Sequence, residues 1–235
     1  MKKVLGIGNA LVDLMTRIDD DKLLAELGLP KGSMQLVDKI ASRNIIDKTK
    51  MFPQSFTSGG SAANTIHGLA QLGVPTGFIG KIGTDNIGKI FKADMLQCNI
   101  NTHLLESSSD SGLAVALVSP DGERTFAVHL GAAVELIASD LNSTFFSGYD
   151  FLHIEGYLIQ NYNLIDTACK LAKQNNLQIS LDLASYNVVE AHRDFLEHIA
   201  RDFADIIFAN EEEAKAMTGK QPEEALHSIA GWCDI

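Results

Sequence analysis

The sequence is poor in cysteine and in positive charge. Its 235 residues include three cysteines, Cys98, Cys169 and Cys233, which lie far apart. This number and spacing exclude a disulfide framework and a cysteine-rich metal site, and favour reduced thiols in a cytoplasmic protein. The 19 basic residues are outnumbered by 30 acidic residues, which gives a formal net charge of -11. Because no basic surface is available to attract nucleic acid or an anionic membrane, we expect neither as a partner.

Long apolar runs and several familiar ligand motifs are also missing. No apolar stretch approaches the roughly 20 residues that span a bilayer, and Asn9 and Asp13 interrupt the apolar N-terminus without a signal-peptide cleavage site. The sequence contains neither G-x-x-x-x-G-K-[ST] nor H-E-x-x-H, and its seven histidines show no metal-ligand spacing. "GIGNAL" has Leu11 where a dinucleotide-binding fingerprint needs a third glycine, so a dinucleotide oxidoreductase is only a distant alternative.

Strand and helix patterns alternate along most of the chain. A β-branched strand pattern at Val4 to Gly8 comes first, and strand patterns recur at 78–82, 151–155, 178–182 and 205–209. Helical periodicity covers 61–72, 86–97, 164–174, 188–203 and 211–217. This alternation predicts an α/β fold with a doubly wound, mainly parallel sheet covered by helices on both faces.

Two segments do not fit this alternation. "GLAVALVS" and "RTFAVHL" flank the turn sequence "PDGE", which predicts an antiparallel hairpin, and Met34 to Val37 is a short strand-like run. We interpret them as a small β-sheet that stands off the main domain. The predicted core covers residues 1–13, 39–98 and 131–235, and the predicted lid covers 14–38 and 99–130.

Polar residues follow several of the predicted strands and precede one helix. Because parallel strands end at one edge of the sheet, these residues should line one cleft of amide and carboxylate groups, which suits hydroxyl ligands. Taken singly, each has a simpler structural explanation as a turn residue, a tight helix entry or an N-cap. The exception is Glu155, because a carboxylate at an apolar strand end needs a partner. The candidates are Asn9, Asp13, Gly59, Gly60, Asn64, Glu155, Asp182, Asn210 and Glu213.

Taken together and in order, these segments resemble the ribokinase-like family of ATP-dependent kinases, also called the PfkB carbohydrate kinase family. "GIGNALVD" resembles the family's first strand and substrate loop, and "GGSAANTIHGLAQLG" and "IGKIGTDNIGK" resemble its N-terminal signature and the following segment. "PDGERTF" is similar to its lid hairpin, and "FANEEEAKAMTG" to its Asn-x-x-Glu motif. The resemblance covers essentially the whole chain and implies a three-layer α/β/α kinase core with a small β lid.

The resemblance also implies roles for the candidate residues. Asn9, Asp13, Gly59, Gly60 and Asn64 would bind the hydroxyl groups of the acceptor, with Glu155 near the cleft. Asn210 and Glu213 would lie toward the ATP phosphates and Mg²⁺ and act through water, without a direct metal ligand. The lid would close over the acceptor to exclude water, and the lid sheet is also a possible homodimer surface.

One family feature is absent from the sequence. The family's second signature is a glycine-rich turn ending in the aspartate that serves as catalytic base, and no segment of residues 1–235 matches it. We therefore expect this chain to be the N-terminal portion of a kinase, with the base beyond residue 235, and to be inactive by itself. The first hypothesis is a sugar kinase; the alternatives are an adenosine or other nucleoside kinase, and a non-catalytic sugar- or nucleoside-binding protein.

Overall fold

The computed structural model describes all residues, 1–235, and consists of eleven β-strands, eight α-helices and four short 3-10 helices. The strands are β1 (Val4–Ile7), β2 (Leu11–Arg17), β3 (Met34–Leu36), β4 (Gln54–Gly59), β5 (Thr76–Gly83), β6 (Asn101–Ser107), β7 (Gly112–Val118), β8 (Arg124–His129), β9 (Phe151–Glu155), β10 (Gln178–Asp182) and β11 (Ile206–Phe208). The helices are α1 (Lys22–Leu27), α2 (Lys39–Thr49), α3 (Ser61–Gln71), α4 (Asn86–Gln97), α5 (Tyr162–Gln174), α6 (Tyr186–Asp202), α7 (Glu211–Thr218) and α8 (Pro222–Ile229).

Six strands form one large parallel sheet in the order β11-β10-β9-β1-β5-β6. One face of this sheet packs on α5, α6, α7 and α8 through a core of 27 buried residues, which include Ile154, Leu181 and Leu196. Helix α3 packs on the opposite face through Ala62 and Ile66. Helices therefore cover both faces, and the predicted doubly wound α/β fold is confirmed.

The other five strands form a small mixed sheet in the order β3-β8-β7-β2-β4. Strands β7 and β8 are antiparallel, as the "PDGE" turn predicts, and the turn uses Gly122 at a φ of 88°. On its inner face Leu14 and Val115 join α3 and α4 in a second core of 19 residues. The small sheet is therefore anchored to the main domain by α3 and α4.

The structure corrects the boundaries expected between the core and the lid. Strand β6, assigned to the lid, pairs with β5 over seven residues at the edge of the large sheet. Strand β4, assigned to the core, pairs with β2 in the small sheet, and β2 begins at Leu11 within the segment assigned to the core. The patterns of β4 and β6 are mixed because both strands lie at sheet edges and are partly exposed.

Helix α2 was not predicted, because its sequence, "KIASRNIIDKT", is largely polar and buries only Ser42, Ile45 and Thr49. The Asp38 carboxylate caps it by accepting a hydrogen bond from the Ala41 N–H at 2.7 Å. None of the eight helices combines the length and the apolar composition needed to cross a membrane.

Candidate functional site

Four adjacent strands of the large sheet end in polar residues at the same edge. Asn9 follows β1, Glu155 ends β9, Asp182 ends β10 and Asn210 follows β11. The register pairs Glu155 directly with Asp182. Since the strand order is β11-β10-β9-β1, the four residues form a row along the carboxyl edge, which is where open α/β sheets bind ligands.

The Glu155 carboxylate joins the two segments on either side of the candidate cleft. Its Oε1 atom accepts hydrogen bonds from the backbone N–H of Asn9 at 2.9 Å and from the Asn9 side-chain amide at 2.6 Å. Its Oε2 atom accepts one from the backbone N–H of Ala62, in the first turn of α3, at 2.9 Å. Burial raises the pKa of Glu155 above its ordinary value, and these N–H donors partly offset the rise.

The two glycines before α3 are required by close contacts. Gly60 has a φ of 100°, and a Cβ atom there would lie 2.3 Å from the carbonyl oxygen of Asn9. A Cβ atom on Gly59 would lie 2.4 Å from a carboxylate oxygen of Asp13. The turn therefore lets α3 begin directly against the β1–β2 segment. A tight entry into the helix, the simpler structural explanation, accounts for the glycines in the same way.

The side chains of Asp13 and Asn64 make no hydrogen bond within the chain. Asp13 is half-buried on β2, opposite Thr57 and Ala114, and its carboxylate accepts no hydrogen bond from the chain. Burial raises the pKa of Asp13, while the positive charge of Arg124 lowers it by a smaller amount. Asn64, in the first turn of α3, is exposed. In contrast, Asn9 is 4% exposed and its amide N–H is already bonded to Glu155.

A second group of acidic residues lies at the β10 and β11 end of the row. Asp182 accepts hydrogen bonds from the Ser61 hydroxyl at 2.9 Å and from the Ala184 N–H at 3.1 Å. Asn210 and Glu213 form a reciprocal capping box at the start of α7. Burial raises the pKa of Glu213, and the negative charge of Asp182 raises it further.

The three carboxylates Glu155, Asp182 and Glu213 are coupled electrostatically, because Asp182 raises the pKa of both glutamates. The oxygen atoms of these three residues do not all lie within 4.8 Å of one another, as the direct ligands of one ion would. Both carboxylate oxygens of Glu213 accept hydrogen bonds from Asn210, so this residue is oriented to act on a cation through water. Mg²⁺, a hard cation that prefers oxygen ligands, would therefore be held at this end of the row only through water.

One cavity opens beside Asn9, and a larger one lies away from the predicted site residues. One of about 240 Å³ is lined by Asn9, Leu136, Tyr157 and Asn161 among others. The other, of about 420 Å³, lies between the small sheet and residues 128–135 and has none of the predicted site residues in its lining. The first cavity therefore reaches the candidate acceptor side through Asn9 alone.

The structure brings Asn9, Gly59, Gly60, Asp13 and Glu155 together and starts α3, with Asn64, beside them. It also places Asp182, expected at the same edge, in a hydrogen bond with Ser61, and reveals two residues that the sequence did not indicate: Ser61 itself and Arg124, whose positive charge lowers the pKa of Asp13. Arg124 could not be selected from the sequence, because it comes near Asp13 only through the strand pairing of the small sheet.

Comparisons with known proteins agree with this architecture. The chain matches the pfkB family carbohydrate kinase domain over residues 40–232. It is 24% identical over 247 residues to the guanosine-inosine kinase of Escherichia coli strain K12, covering 99% of this chain and 56% of that protein. It is 24% identical over 223 residues to adenosine kinase 2 of Arabidopsis thaliana, covering 92% of this chain and 64% of that protein.

Solved structures give the same result. An adenosine kinase from Sinorhizobium meliloti is 30% identical, with a TM-score of 0.88, over 99% of this chain and 72% of that one. A probable sugar kinase from Rhizobium etli CFN 42 is 29% identical, with a TM-score of 0.89, over the same shares of the two chains. The chain spans between about half and two thirds of the length of the two curated relatives, at 56% and 64%. Because the family match covers most of its residues, the chain belongs to the pfkB family of carbohydrate kinases.

Proposed function

We propose that this chain forms the acceptor-binding part of a phosphotransferase that transfers the γ-phosphoryl group of ATP to a hydroxyl group of a sugar. The observation that carries the proposal is the close approach of β2 to the Gly59–Gly60 turn at the start of α3, where the side chains of Asp13 and Asn64 make no hydrogen bond within the chain. A carboxylate and a carboxamide fixed in this way suit neighbouring hydroxyl groups, which both donate and accept hydrogen bonds.

The residues of the acceptor side have different roles in this proposal. Asp13 accepts hydrogen bonds from acceptor hydroxyls and Asn64 binds from the opposite side, while the two glycines allow close approach. Asn9 offers its side-chain oxygen and its second amide hydrogen, because only one of the two N–H groups is bonded to Glu155. Glu155 acts as a positioning residue, because it is 1% exposed and holds the β1–β2 segment against α3.

In this proposal, the ATP phosphates and Mg²⁺ bind at the other end of the row, near β10 and β11. Asn210 and Glu213 would orient water around the metal, and Asp182 would contribute negative charge beside them. When bound, Mg²⁺ supplies the charge neutralisation that phosphoryl transfer requires. The protein's contribution is to hold the acceptor hydroxyl and the γ-phosphate in line and to exclude water when the small sheet closes.

We further propose that the small sheet, built mainly from residues of the predicted lid, is the part that closes, and that its edges could form a homodimer. Phe56 on the edge strand β4 is 47% exposed, which is consistent with such a contact. The cytoplasm is the compartment that the three separated, unpaired cysteines favour.

The isolated 235-residue chain is expected to lack kinase activity. No segment of it matches the family's glycine-rich turn ending in aspartate, so no residue can be assigned as the base for the acceptor hydroxyl. ATP-dependent phosphorylation by a polypeptide whose intact mass corresponds to residues 1–235 would contradict this expectation.

A nucleoside acceptor is the second candidate, and the register of the small sheet favours it. In one row across this sheet, Asp13 lies opposite Ala114, which lies opposite Val128, which lies opposite Leu36. Asp13 therefore shares its face of the sheet with apolar side chains, and Leu36 is 57% exposed. An apolar face beside a hydroxyl-binding carboxylate suits a sugar that carries a flat base. Two of the curated relatives are named as nucleoside kinases.

An acceptor panel tests both candidates. The test measures phosphorylation by any longer form of the protein that contains the glycine-rich turn, in the presence of ATP and Mg²⁺, with this chain as the matched control. The acceptors are hexoses, pentoses, adenosine, guanosine and inosine. Phosphorylation of free sugars by the longer form alone supports the first candidate. If nucleosides react far faster than every free sugar, the second candidate replaces it, and if nothing is phosphorylated both are wrong.

A further inference from the structure

Three side chains with different donor atoms meet beside Ser58, the residue that precedes the Gly59–Gly60 turn. His67 lies on α3, Asp94 lies on α4 and Cys98 is the C-cap of α4. A ring nitrogen, a carboxylate oxygen and the Cys98 Sγ all lie within 4.8 Å of one another. The side chains of His67 and Asp94 are 14% and 32% exposed, and Cys98 is half-buried. None of the three belongs to the candidate acceptor or ATP groups.

We propose that His67, Asp94 and Cys98 form a zinc-binding site. Asp94 and Cys98 are four residues apart on α4 and therefore share one face of the helix. Zinc–ligand bonds of 2.0–2.3 Å place tetrahedral ligands about 3.3–3.7 Å apart, and His67 Nε2 lies 3.8 Å from Asp94 Oδ2. Small side-chain rotations are therefore enough to close the site. A thiolate and an imidazole together favour Zn²⁺ over Mg²⁺ or Ca²⁺, which prefer oxygen ligands.

Ser58 completes the surroundings of these ligands. Its hydroxyl donates to Asp94 Oδ2 and lies 2.8 Å from His67 Nε2, and its backbone N–H donates to the same carboxylate oxygen at 3.0 Å. The hydroxyl therefore lies within hydrogen-bond distance of two of the three ligands. The backbone bond fixes the orientation of the carboxylate, as outer-shell partners do in metal sites.

The same geometry argues against a serine nucleophile. A hydroxyl has one hydrogen, and Ser58 donates it to Asp94, so His67 Nε2 must carry the hydrogen of the second contact. His67 therefore does not accept the serine proton, as the base of a catalytic triad would. On zinc binding, the Nε2 hydrogen of His67 is lost or moves to Nδ1, and the Cys98 thiol releases its proton to solvent.

A metal ion here would connect three elements of the fold. Ser58 lies in β4, His67 lies in α3, Asp94 lies in α4 and Cys98 caps the end of α4. Because the three ligands converge only in the folded chain, zinc would bind the folded state preferentially and raise the melting temperature. This inference does not depend on the proposed kinase function.

The test is a metal titration of the full 235-residue chain, reduced and stripped of metal with a chelator. Co²⁺ serves as the spectroscopic probe and Zn²⁺ as the competitor. We expect one equivalent of Co²⁺ to give a thiolate-to-cobalt charge-transfer band in the near ultraviolet, which Zn²⁺ removes. Cys98→Ser should abolish the band, whereas Cys233→Ser, which changes the other half-buried cysteine, should keep it. His67→Gln and Asp94→Asn should each weaken Zn²⁺ binding by at least about 100-fold, because even outer-shell changes cost 10–100-fold.

The proposal is overturned if the wild-type chain gives no such band, or if the band persists in Cys98→Ser. Should circular dichroism show that Cys98→Ser does not fold, Asp94→Asn decides the question by its Zn²⁺ affinity and thermal shift. Loss of both the tight binding and the zinc-dependent rise in melting temperature supports the site. Wild-type values in Asp94→Asn would instead show that these three residues do not form it.

Discussion

At the scale of single residues, Asp13 combines partial burial with the absence of any hydrogen-bond partner in the chain. A partly buried carboxylate without a partner lowers the stability of the chain, as is expected if Asp13 binds the acceptor as proposed. We expect Asp13→Asn to raise the free energy of unfolding at pH 7 by roughly 0.5–1 kcal/mol, because the neutral amide is less costly to bury. Urea denaturation measures the change.

The pH dependence of this gain has a definite sign. The folded-state pKa of Asp13 is raised above its ordinary value of 3.8. The stability of the wild-type chain contributed by this group is therefore present below pH 3.8 and is lost as pH rises through the raised pKa. The advantage of Asp13→Asn should accordingly disappear toward low pH, and an advantage that grows on acidification would contradict the assignment.

Glu155 presents the opposite situation, because all three of its hydrogen bonds are made within the protein. In Glu155→Gln the new NH₂ group would face either the Ala62 N–H or the donors of Asn9, leaving a buried donor without an acceptor. We expect a loss of about 1–3 kcal/mol in the free energy of unfolding. Glu106→Gln, at an exposed position on β6, is the control and should change stability by less than about 0.5 kcal/mol. If both variants lost the same free energy of unfolding, Glu155 would not be a positioning residue.

At the scale of secondary-structure elements, the start of α3 depends on the backbone of Gly60. Its φ of 100° lies in a region that is nearly restricted to glycine, and a Cβ atom would lie 2.3 Å from the Asn9 carbonyl oxygen. We expect Gly60→Ala to lower the free energy of unfolding by at least about 2 kcal/mol. Thermal or urea unfolding by circular dichroism measures this loss.

The same helix provides a matched control. A Cβ atom on Gly68 would have no neighbour within 4 Å, and Gly68 has ordinary helical geometry. Gly68→Ala should therefore stabilise the chain by about 0.5–1 kcal/mol, because alanine is the better helix former. A Gly60→Ala variant as stable as Gly68→Ala would show that the turn can relax without cost.

Buried elements of this fold could be predicted from sequence, whereas edge elements could not. Strands β1, β9 and β10 are buried within the large sheet and read as apolar runs, and the "PDGE" turn indicates the β7–β8 hairpin. Strand β6 has a mixed pattern because it lies at the sheet edge, and this pattern concealed its place in the large sheet. The hydrophobic pattern of a sequence reports burial, so an element with only one weakly buried face is not recognised from it.

The candidate site shows the same division. Polar residues at strand ends, such as Asn9 and Glu155, could be selected because parallel strands end at one edge. That Glu155 bonds Asn9, 146 positions away in sequence, depends on the pairing of β1 with β9, and its bond to Ala62 depends on the packing of α3; neither could be read from the chain. Likewise, Arg124 lies near enough to lower the pKa of Asp13 only because β2, β7 and β8 are paired in the small sheet.

At the scale of the whole molecule, the two sheets face the proposed acceptor with different chemistry. The edge of the large sheet supplies carboxylates and amides, whereas the small sheet presents an apolar face beside Asp13 that includes Leu36 and Met34. A free sugar would use mainly the polar side, and a nucleoside would use both. Measuring how strongly binding depends on the apolar face therefore distinguishes a sugar acceptor from a nucleoside acceptor.

Leu36→Ser tests this dependence. If the acceptor is a nucleoside, we expect its dissociation constant, measured by isothermal titration calorimetry, to rise about tenfold, the equivalent of roughly 1.4 kcal/mol of lost apolar contact. Binding of the corresponding free sugar should change little, because it makes no contact with Leu36. Leu72→Ser, at an 81% exposed position at the end of α3, is the control and should alter neither ligand. Equal weakening of sugar and nucleoside binding by Leu36→Ser would mean that Leu36 supports closure of the small sheet and does not contact a base.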